Sequence, residues 1–216
     1  MIRTLTPELL DSLPAHSPAA IHSRRDLVWF NRLLGANRWW AKTLPGLLTS
    51  TPSHSGLEIG AGDGPLALPH GLHALDRCPA PADWPSATAW HQADVLNFPH
   101  WDRYPLIVAN LFLHHFDAKQ LHQLGQIWND SAQVIVASEP WRARIFQSGF
   151  ALLCAVIRAH PVSRHDGRVS IEAGFRGAEL PTLLGLNPNR WYWKIQQHPL
   201  GTYRMIAQRR ATAPTS

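Results

Sequence analysis

Gly56-Leu57-Glu58-Ile59-Gly60-Ala61-Gly62-Asp63-Gly64-Pro65 decides the fold. Its first four residues read as a short buried strand, the next five as a glycine-rich turn, and Pro65 suits the first position of a helix. Glycine is required where the main chain turns sharply or must let a ligand come close. A dinucleotide fingerprint, G-x-G-x-x-G, would place its third glycine at position 65, where this chain has proline. The pattern is instead E-x-G-x-G-x-G, which belongs to a different cofactor loop.

Working outward, Ala74-Leu75 ends a second strand at Asp76, and Thr88 to Gln92 forms a third before Asp94. Leu106 to Ala109 and Val134 to Ala137 are continuous apolar runs, as expected of strands buried on both faces. Between them, Leu121, Leu124, Ile127 and Trp128 recur at helical spacing across 118–128. Strands alternating with helices predict a parallel sheet of βαβ units. Trp191 to Gln197 and Tyr203 to Gln208, joined by His198-Pro199-Leu200-Gly201, read as an antiparallel hairpin at its edge. The predicted fold is thus a Rossmann-like three-layer α/β sandwich: a seven-stranded, mostly parallel sheet with an antiparallel C-terminal hairpin.

Upstream, three helices are expected. One opens at Thr6-Pro7-Glu8, and one is capped by Ser23 with Leu27, Phe30, Leu33 and Leu34 as its apolar stripe. The third is capped by Asn37 and runs to Pro45. Residues 1–50 are read as a helical extension, 51–210 as the cofactor-binding domain and 211–216 as a flexible tail, with loop chemistry from Thr49 to Ser55.

Apolar residues make up 45% of the chain and charged ones 16%, so it is globular rather than disordered. The net charge of +5 invites a nucleic-acid reading, but the basic residues are scattered, with short groups only at Arg24-Arg25 and Arg209-Arg210. No basic run is interleaved with aromatics along one helix, which argues against a nucleic-acid partner. Two cysteines, Cys78 and Cys154, are too few for a disulfide framework, so a reducing cytoplasm is the expectation. The N-terminus carries Glu8 and Asp11 among prolines and lacks the apolar stretch of a signal peptide. The most apolar later run, Ile145 to Ile157, is about 13 residues, too short for a transmembrane segment, and reads as a core or lid helix. The oligomeric state leaves no mark in the sequence.

The segment Glu58 to Gly64 resembles motif I of the class I S-adenosylmethionine-dependent methyltransferases. The resemblance implies that Asp76 holds both ribose hydroxyls and that Asp94 receives the adenine amino group. Asn110-Leu111-Phe112-Leu113-His114-His115-Phe116 then occupies the segment where methyl donor and acceptor meet. The implied cofactor set is Glu58, Gly60, Ala61, Gly62, Gly64, Asp76, Arg77, Asp94, Val95, Asn110 and Leu111, for S-adenosyl-L-methionine. Further stretches are similar to a group of bacterial small-molecule methyltransferases: Asp26-Leu27 through Asn31 to Gly35, the double histidine, and Ala137-Ser138-Glu139-Pro140. So are Arg164-His165-Asp166, Ser170-Ile171 and Gly174-Phe175. Only 16 positions separate Gly60 from Asp76, so the first helix must be very short, interrupted by Pro69 and Gly71.

The implied activity is methyl transfer to a small-molecule acceptor, with an aromatic or polyketide-like hydroxyl favoured, because a phenol of pKa about 10 gains from a histidine base. His114, His115 and His165 (beside Asp166) are the candidate catalytic residues. Each has a structural alternative as a packed or loop-anchoring side chain. Asp63 and Glu139 are read as capping or charge-balancing groups. Thirteen histidines raise the question of a metal, but no pattern such as H-E-x-x-H occurs, and none is expected. Two rival readings are an RNA or DNA methyltransferase and a non-catalytic S-adenosylmethionine binder. An amino-directed nucleic-acid enzyme often carries [N/D]-P-P-[Y/F], whereas Asn110 here is followed by Leu111-Phe112-Leu113.

Overall fold

The computed structural model describes residues 1–211 apart from 15, 34, 52–54, 63 and 65, with side chains left aside at 27 and 31–33. The expectations placed on Asp63, Pro65, Leu27, Leu33, Leu34, residues 52–54 of the 49–55 linker and the tail beyond Ala211 lie outside that set.

Seven strands form one sheet: β1 (Gly56–Ile59), β2 (His73–Asp76), β3 (Trp90–Gln92), β4 (Leu106–Asn110), β5 (Val134–Pro140), β6 (Trp191–His198) and β7 (Thr202–Arg209). Their spatial order is β3-β2-β1-β4-β5-β7-β6. The first five pair in parallel, while β7 runs antiparallel to both β5 and β6. The expected sheet and edge hairpin are therefore present. Strand order reverses between β1 and β4, so their carboxyl ends diverge around one crevice.

Alternation along each strand divides the core into two faces. Leu57, Ile59, Ile107, Ala109, Ile135 and Ala137 pack with Leu121, Leu124 and Trp128 of α4 (Ala118–Ser131). Val108, Val134 and Val136 pack on the other side with Trp40, Leu44 and Leu47 of α2 (Ala36–Ser50). The helix after β1, α3 (Ala67–His70), has the expected brevity, and Gly71 at φ 65° ends it. The chain also forms α1 (Pro18–Leu33), α5 (Arg144–Val156), α6 (Pro161–Ala173) and α7 (Glu179–Leu183). No helix among the described residues is long and apolar enough to cross a membrane.

The N-terminal expectations need correction. Residues 6–8 are not helical; a single 3-10 turn, Leu10–Ser12, follows them. Tertiary bonds explain this, because the Leu9 and Leu10 amides donate to the Asp166 carboxylate at 2.8 and 2.9 Å. Helix α1 starts at Pro18, with Ser17 Oγ accepting from Ala20 N, so Ser23 lies inside the helix, buried against Ser163. Helix α2 begins after Gly35 rather than Asn37 and continues through Pro45 to Ser50. Proline costs one backbone bond there, but Trp40, Leu44 and Leu47 are buried on both sides of it. Helix α6 was not expected, although His160-Pro161 is a capping residue followed by a first-turn proline.

Close approach of α4 to the segment after α7 depends on Gly125, where an added Cβ would lie 1.7 Å from the Leu184 carbonyl oxygen. Gly125→Ala should therefore destabilise by about 2–4 kcal/mol, despite a helix-propensity gain of about 1 kcal/mol. Thermal unfolding followed by circular dichroism tests this; a melting point at or above wild type would refute it.

Candidate active site

Strand β1 ends in a turn built from left-handed glycines, Gly60 at φ 66°, Gly62 at 57° and Gly64 at 73°. Side chains rarely adopt that backbone, and two of the positions are also closed sterically. A Cβ on Gly60 would sit 2.1 Å from the Phe112 ring, and one on Gly64 would sit 2.4 Å from Trp84. Gly62 instead faces open space. Gly60 and Ala61 donate to Leu75 O at 2.8 and 3.3 Å, fastening the turn to β2.

Asp76, at the end of β2, faces this turn. Its carboxylate accepts from Gly62 N at 2.8 Å and Cys78 N at 2.9 Å. Asp94, after β3, accepts from Leu96 N at 2.9 Å and pairs with the exposed Arg77 at 2.6 Å. The Leu96 amide chiefly holds its carboxyl below the usual range, with Arg77 assisting. Val95 beside it is buried. At the end of β4, Asn110 Oδ1 accepts from Trp40 Nε1 at 3.1 Å, and Leu111 takes φ 53°, a left-handed conformation that strains a leucine. Gly60, Gly62, Asp76 and Asn110 thus meet at one rim, and Asp94 with Arg77 frames its far end.

Glu58 points to the α3 side of β1 and is buried. It bonds the Ala67 amide, but its Oε2 has no partner. Burial, reinforced by Asp76, pushes its carboxyl up to about 8 against the Ala67 bond.

The histidines separate. His114 is buried, with Nδ1 2.7 Å from Glu139 Oε2 and Nε2 3.4 Å from Glu8 Oε1. Burial alone would lower its pKa, but bonds to Glu139 and Glu8 and their charges raise it to about 9. With both ring nitrogens engaged, the cation is a structural centre. Glu8 in turn accepts from Ser170 Oγ. His115 is partly exposed, with Nδ1 3.9 Å from Asp11. Burial and the neighbouring His114 charge lower its pKa, so it is neutral near pH 7. Glu8, His114 and His115 bring metal-ligand-type atoms within 4.8 Å of one another, and Glu8 and His114 also form the ion pair above. His165 stands apart: its Nδ1 lies 3.0 Å from Asp166, which anchors the N-terminal segment.

Glu139, read from the sequence as a capping or charge-balancing group with no part in the chemistry, organises the turn after β4. Its carboxylate accepts from Phe112 N, Leu113 N and His114 N as well as engaging His114 Nδ1. An acid at the carboxyl end of a fully buried strand was the available signal. Glu8, more than a hundred residues from His114, left none. Arg3 was missed too; it donates to His114 O at 3.0 Å and Phe116 O at 2.8 Å.

With this geometry the fold is that of the class I S-adenosylmethionine-dependent methyltransferases. The plantazolicin methyltransferase BpumL, solved with a monoazolic desmethylPZN analog and SAH, superposes with a TM-score of 0.65 at 14% identity, covering 93% of this chain and 92% of that one. Magnesium protoporphyrin IX methyltransferase (ChlM) from Synechocystis PCC 6803, with bound SAH, gives 0.51 at 13% identity over 82% and 84% of the two chains. The methyltransferase domain of bacterial CtHen1-CN gives 0.52 at 12% identity over 82% and 98%. No protein-family model and no curated protein sequence matches this chain.

Two raised pKa values each contribute to how stability depends on pH. Between 4.5 and about 8 the folded chain keeps a proton on Glu58 that the unfolded chain releases, so stability falls as pH rises. His114 contributes stability that is complete below 6.5 and lost as pH rises through about 9. Glu58→Gln should remove the Glu58 contribution, making the slope below pH 6.5 more positive, and leave the later fall. Denaturant titrations across that range check this; an unchanged slope below pH 6.5 would show that Glu58 ionises normally.

Proposed function

We propose that this chain is an S-adenosylmethionine-dependent methyltransferase acting on a small molecule, with an aromatic or polyketide-like hydroxyl as acceptor. The supporting observation is the left-handed glycine turn facing Asp76 across the point where strand order reverses. Among the similar structures, BpumL and ChlM carry SAH, and the name of ChlM specifies magnesium protoporphyrin IX. The residues present fit the cofactor: an open glycine face, two rim carboxylates and a buried Glu58 oxygen without a partner. When bound, S-adenosylmethionine supplies an electrophilic methyl on a sulfonium sulfur. Asp76 would hold the ribose and Asp94, framed by Arg77 and Val95, the adenine. Gly60 to Gly64 would lie along the cofactor, with Glu58 beneath, and Asn110 and Leu111 would flank the transfer point.

The chemistry the cofactor would supply here is methylation of the acceptor hydroxyl. The protein aligns the reactants and keeps them dry. His115, neutral and partly exposed beside Phe112, takes the acceptor proton; His114 serves by holding the turn. His165 anchors through Asp166. The cytoplasm suits such an enzyme. The nucleic-acid rival draws no support from the scattered basic residues.

S-adenosylmethionine should raise the melting temperature and NAD should not. Asp76→Ala should weaken cofactor binding by about 10- to 150-fold, the equivalent of a charge-assisted hydrogen bond of about 1.5–3 kcal/mol. Calorimetry showing unchanged affinity in a folded variant would assign the ribose elsewhere. His115→Ala should slow turnover by about 10²-fold with cofactor affinity intact, and higher pH should partly rescue it. A wild-type pH–rate profile in that variant would remove His115 from proton transfer.

A further inference from the structure

Along the carboxyl edge of the parallel strands, one residue from each of β4, β5, β7 and β6 stands in register on the α2 face. Asn110 lies opposite Ser138, Ser138 opposite Arg204, and Arg204 opposite Gln196. Ile59 pairs with Ala109, so the row begins at the Gly60 turn. Strand alternation assigns the face, since Val108, Val136 and Ile206 pack against the α2 core. Trp40 confirms it through its bond to Asn110, as does Trp39, whose ring lies 5.0 Å from the Arg204 guanidinium carbon.

Arg204 is an anomaly in this row. It is only 6% exposed, its Nε is buried without a partner, and no hydrogen bond or ion pair to it occurs among the described residues. Burial lowers its pKa, and no carboxylate offsets this. Thr202, two residues earlier on the same face, is also buried with an unpartnered Oγ1. The fold satisfies its other buried arginine fully: Arg142 binds Gly174 O, Met1 O and the Glu179 carboxylate. A buried guanidinium without an anion is costly, and a planar fork of donors is matched best by a carboxylate.

We propose that Arg204, with the Thr202 and Ser138 hydroxyls, is the subsite for a carboxylate on the methyl acceptor, making that acceptor an aromatic hydroxy acid. Two strand spacings of about 4.8 Å place Arg204 about 10 Å from Asn110, room for one aromatic ring and a hydrogen bond at its far end. The cofactor's own carboxylate is the other source of this chemistry. It is disfavoured because, in the placement proposed above, Asp76 and Asp94 hold the ribose and adenine at the ends of β2 and β3, on the opposite side of β4 from Arg204.

This inference rests on the methyl-transfer reading for its meaning, but its test is separate. The full chain saturated with S-adenosylhomocysteine is titrated calorimetrically with benzoate and with benzamide. Benzoate should bind at least about tenfold tighter than benzamide, and Arg204→Gln should erase that preference while changing S-adenosylhomocysteine affinity by less than about twofold. Arg204→Lys should recover part of it. Equal binding of acid and amide, or of benzoate by wild type and Arg204→Gln, overturns the proposal. So does a loss confined to S-adenosylhomocysteine, which would give the guanidinium to the cofactor. Failure of the wild type to bind S-adenosylhomocysteine, with benzoate still preferred, would instead count against the methyltransferase reading. Thermal unfolding of Arg204→Met completes the test: a melting point no lower than wild type is expected, and a clear drop marks the arginine as structural and overturns the proposal.

Discussion

The buried Glu139 carboxylate takes three backbone N–H groups from the turn after β4 and the Nδ1 of His114. That single group orders the segment on which the rest of the site is built. The turn it holds sets Phe112 against Gly60, so that no side chain fits at the glycine. It also presents His114 Nε2 to Glu8, and Glu8 ties the N-terminal segment to Ser170 on α6. Three pieces distant in sequence are therefore coupled through one carboxylate. Removing one partner of such a buried charged pair costs about 3–5 kcal/mol, because the other charge stays behind unpaired. The double histidine is best understood from this arrangement. One ring is spent on holding the turn, and the other is left at its surface.

The same rim carries two buried groups that the fold does not satisfy, Glu58 beneath the glycine turn and Arg204 two strands beyond Asn110. Each lowers the stability of the protein alone, one as a buried carboxyl with an unpartnered oxygen and the other as a buried cation without an anion. Natural structures retain such groups where a ligand completes them. Glu58 lies at the β1 end, opposite Val108 and one step below the row that holds Arg204 at the hairpin end. The rim therefore holds a carboxyl that burial keeps protonated at one end and a guanidinium without an anion at the other. That division follows from residue placement, not from net charge, and the overall +5 does not reveal it.

How much of this was legible depended on whether the decisive contacts were local. Glu58 to Gly64, Asp76, Asp94 and the apolar runs at 106–109 and 134–137 carry local chemistry, and the sheet follows from them. The N-terminal segment does not. Thr6-Pro7-Glu8 has the local form of a helix start, yet Asp166 takes the Leu9 and Leu10 amides and Arg3 reaches Ala173, His114 and Phe116. Those tertiary bonds outweigh a weak propensity in so short a segment. Pro45 misled in the opposite direction, because burial of Trp40 and Leu47 around it holds α2 together. Capping chemistry at Ser23 failed for a simpler reason, since Ser17-Pro18 offered a better start, with its capping serine six residues earlier.

Site residues escaped notice for a topological reason as well. In a parallel sheet the functional edge lies at the carboxyl ends of the strands, so a reader looks just after each one, as at Gly60, Asp76, Asp94 and Asn110. Strand β7 runs the other way, and the same edge therefore receives its first residues, Thr202 and Arg204. Nothing in the local pattern around Thr202-Tyr203-Arg204 distinguishes an inward arginine from an ordinary edge-strand cation. Only the register, which sets Arg204 opposite Ser138 and beneath Trp39, turns it from a surface charge into a buried one. In a sheet of this order, residues at the start of the antiparallel strand belong to the site as much as those at the ends of its parallel neighbours.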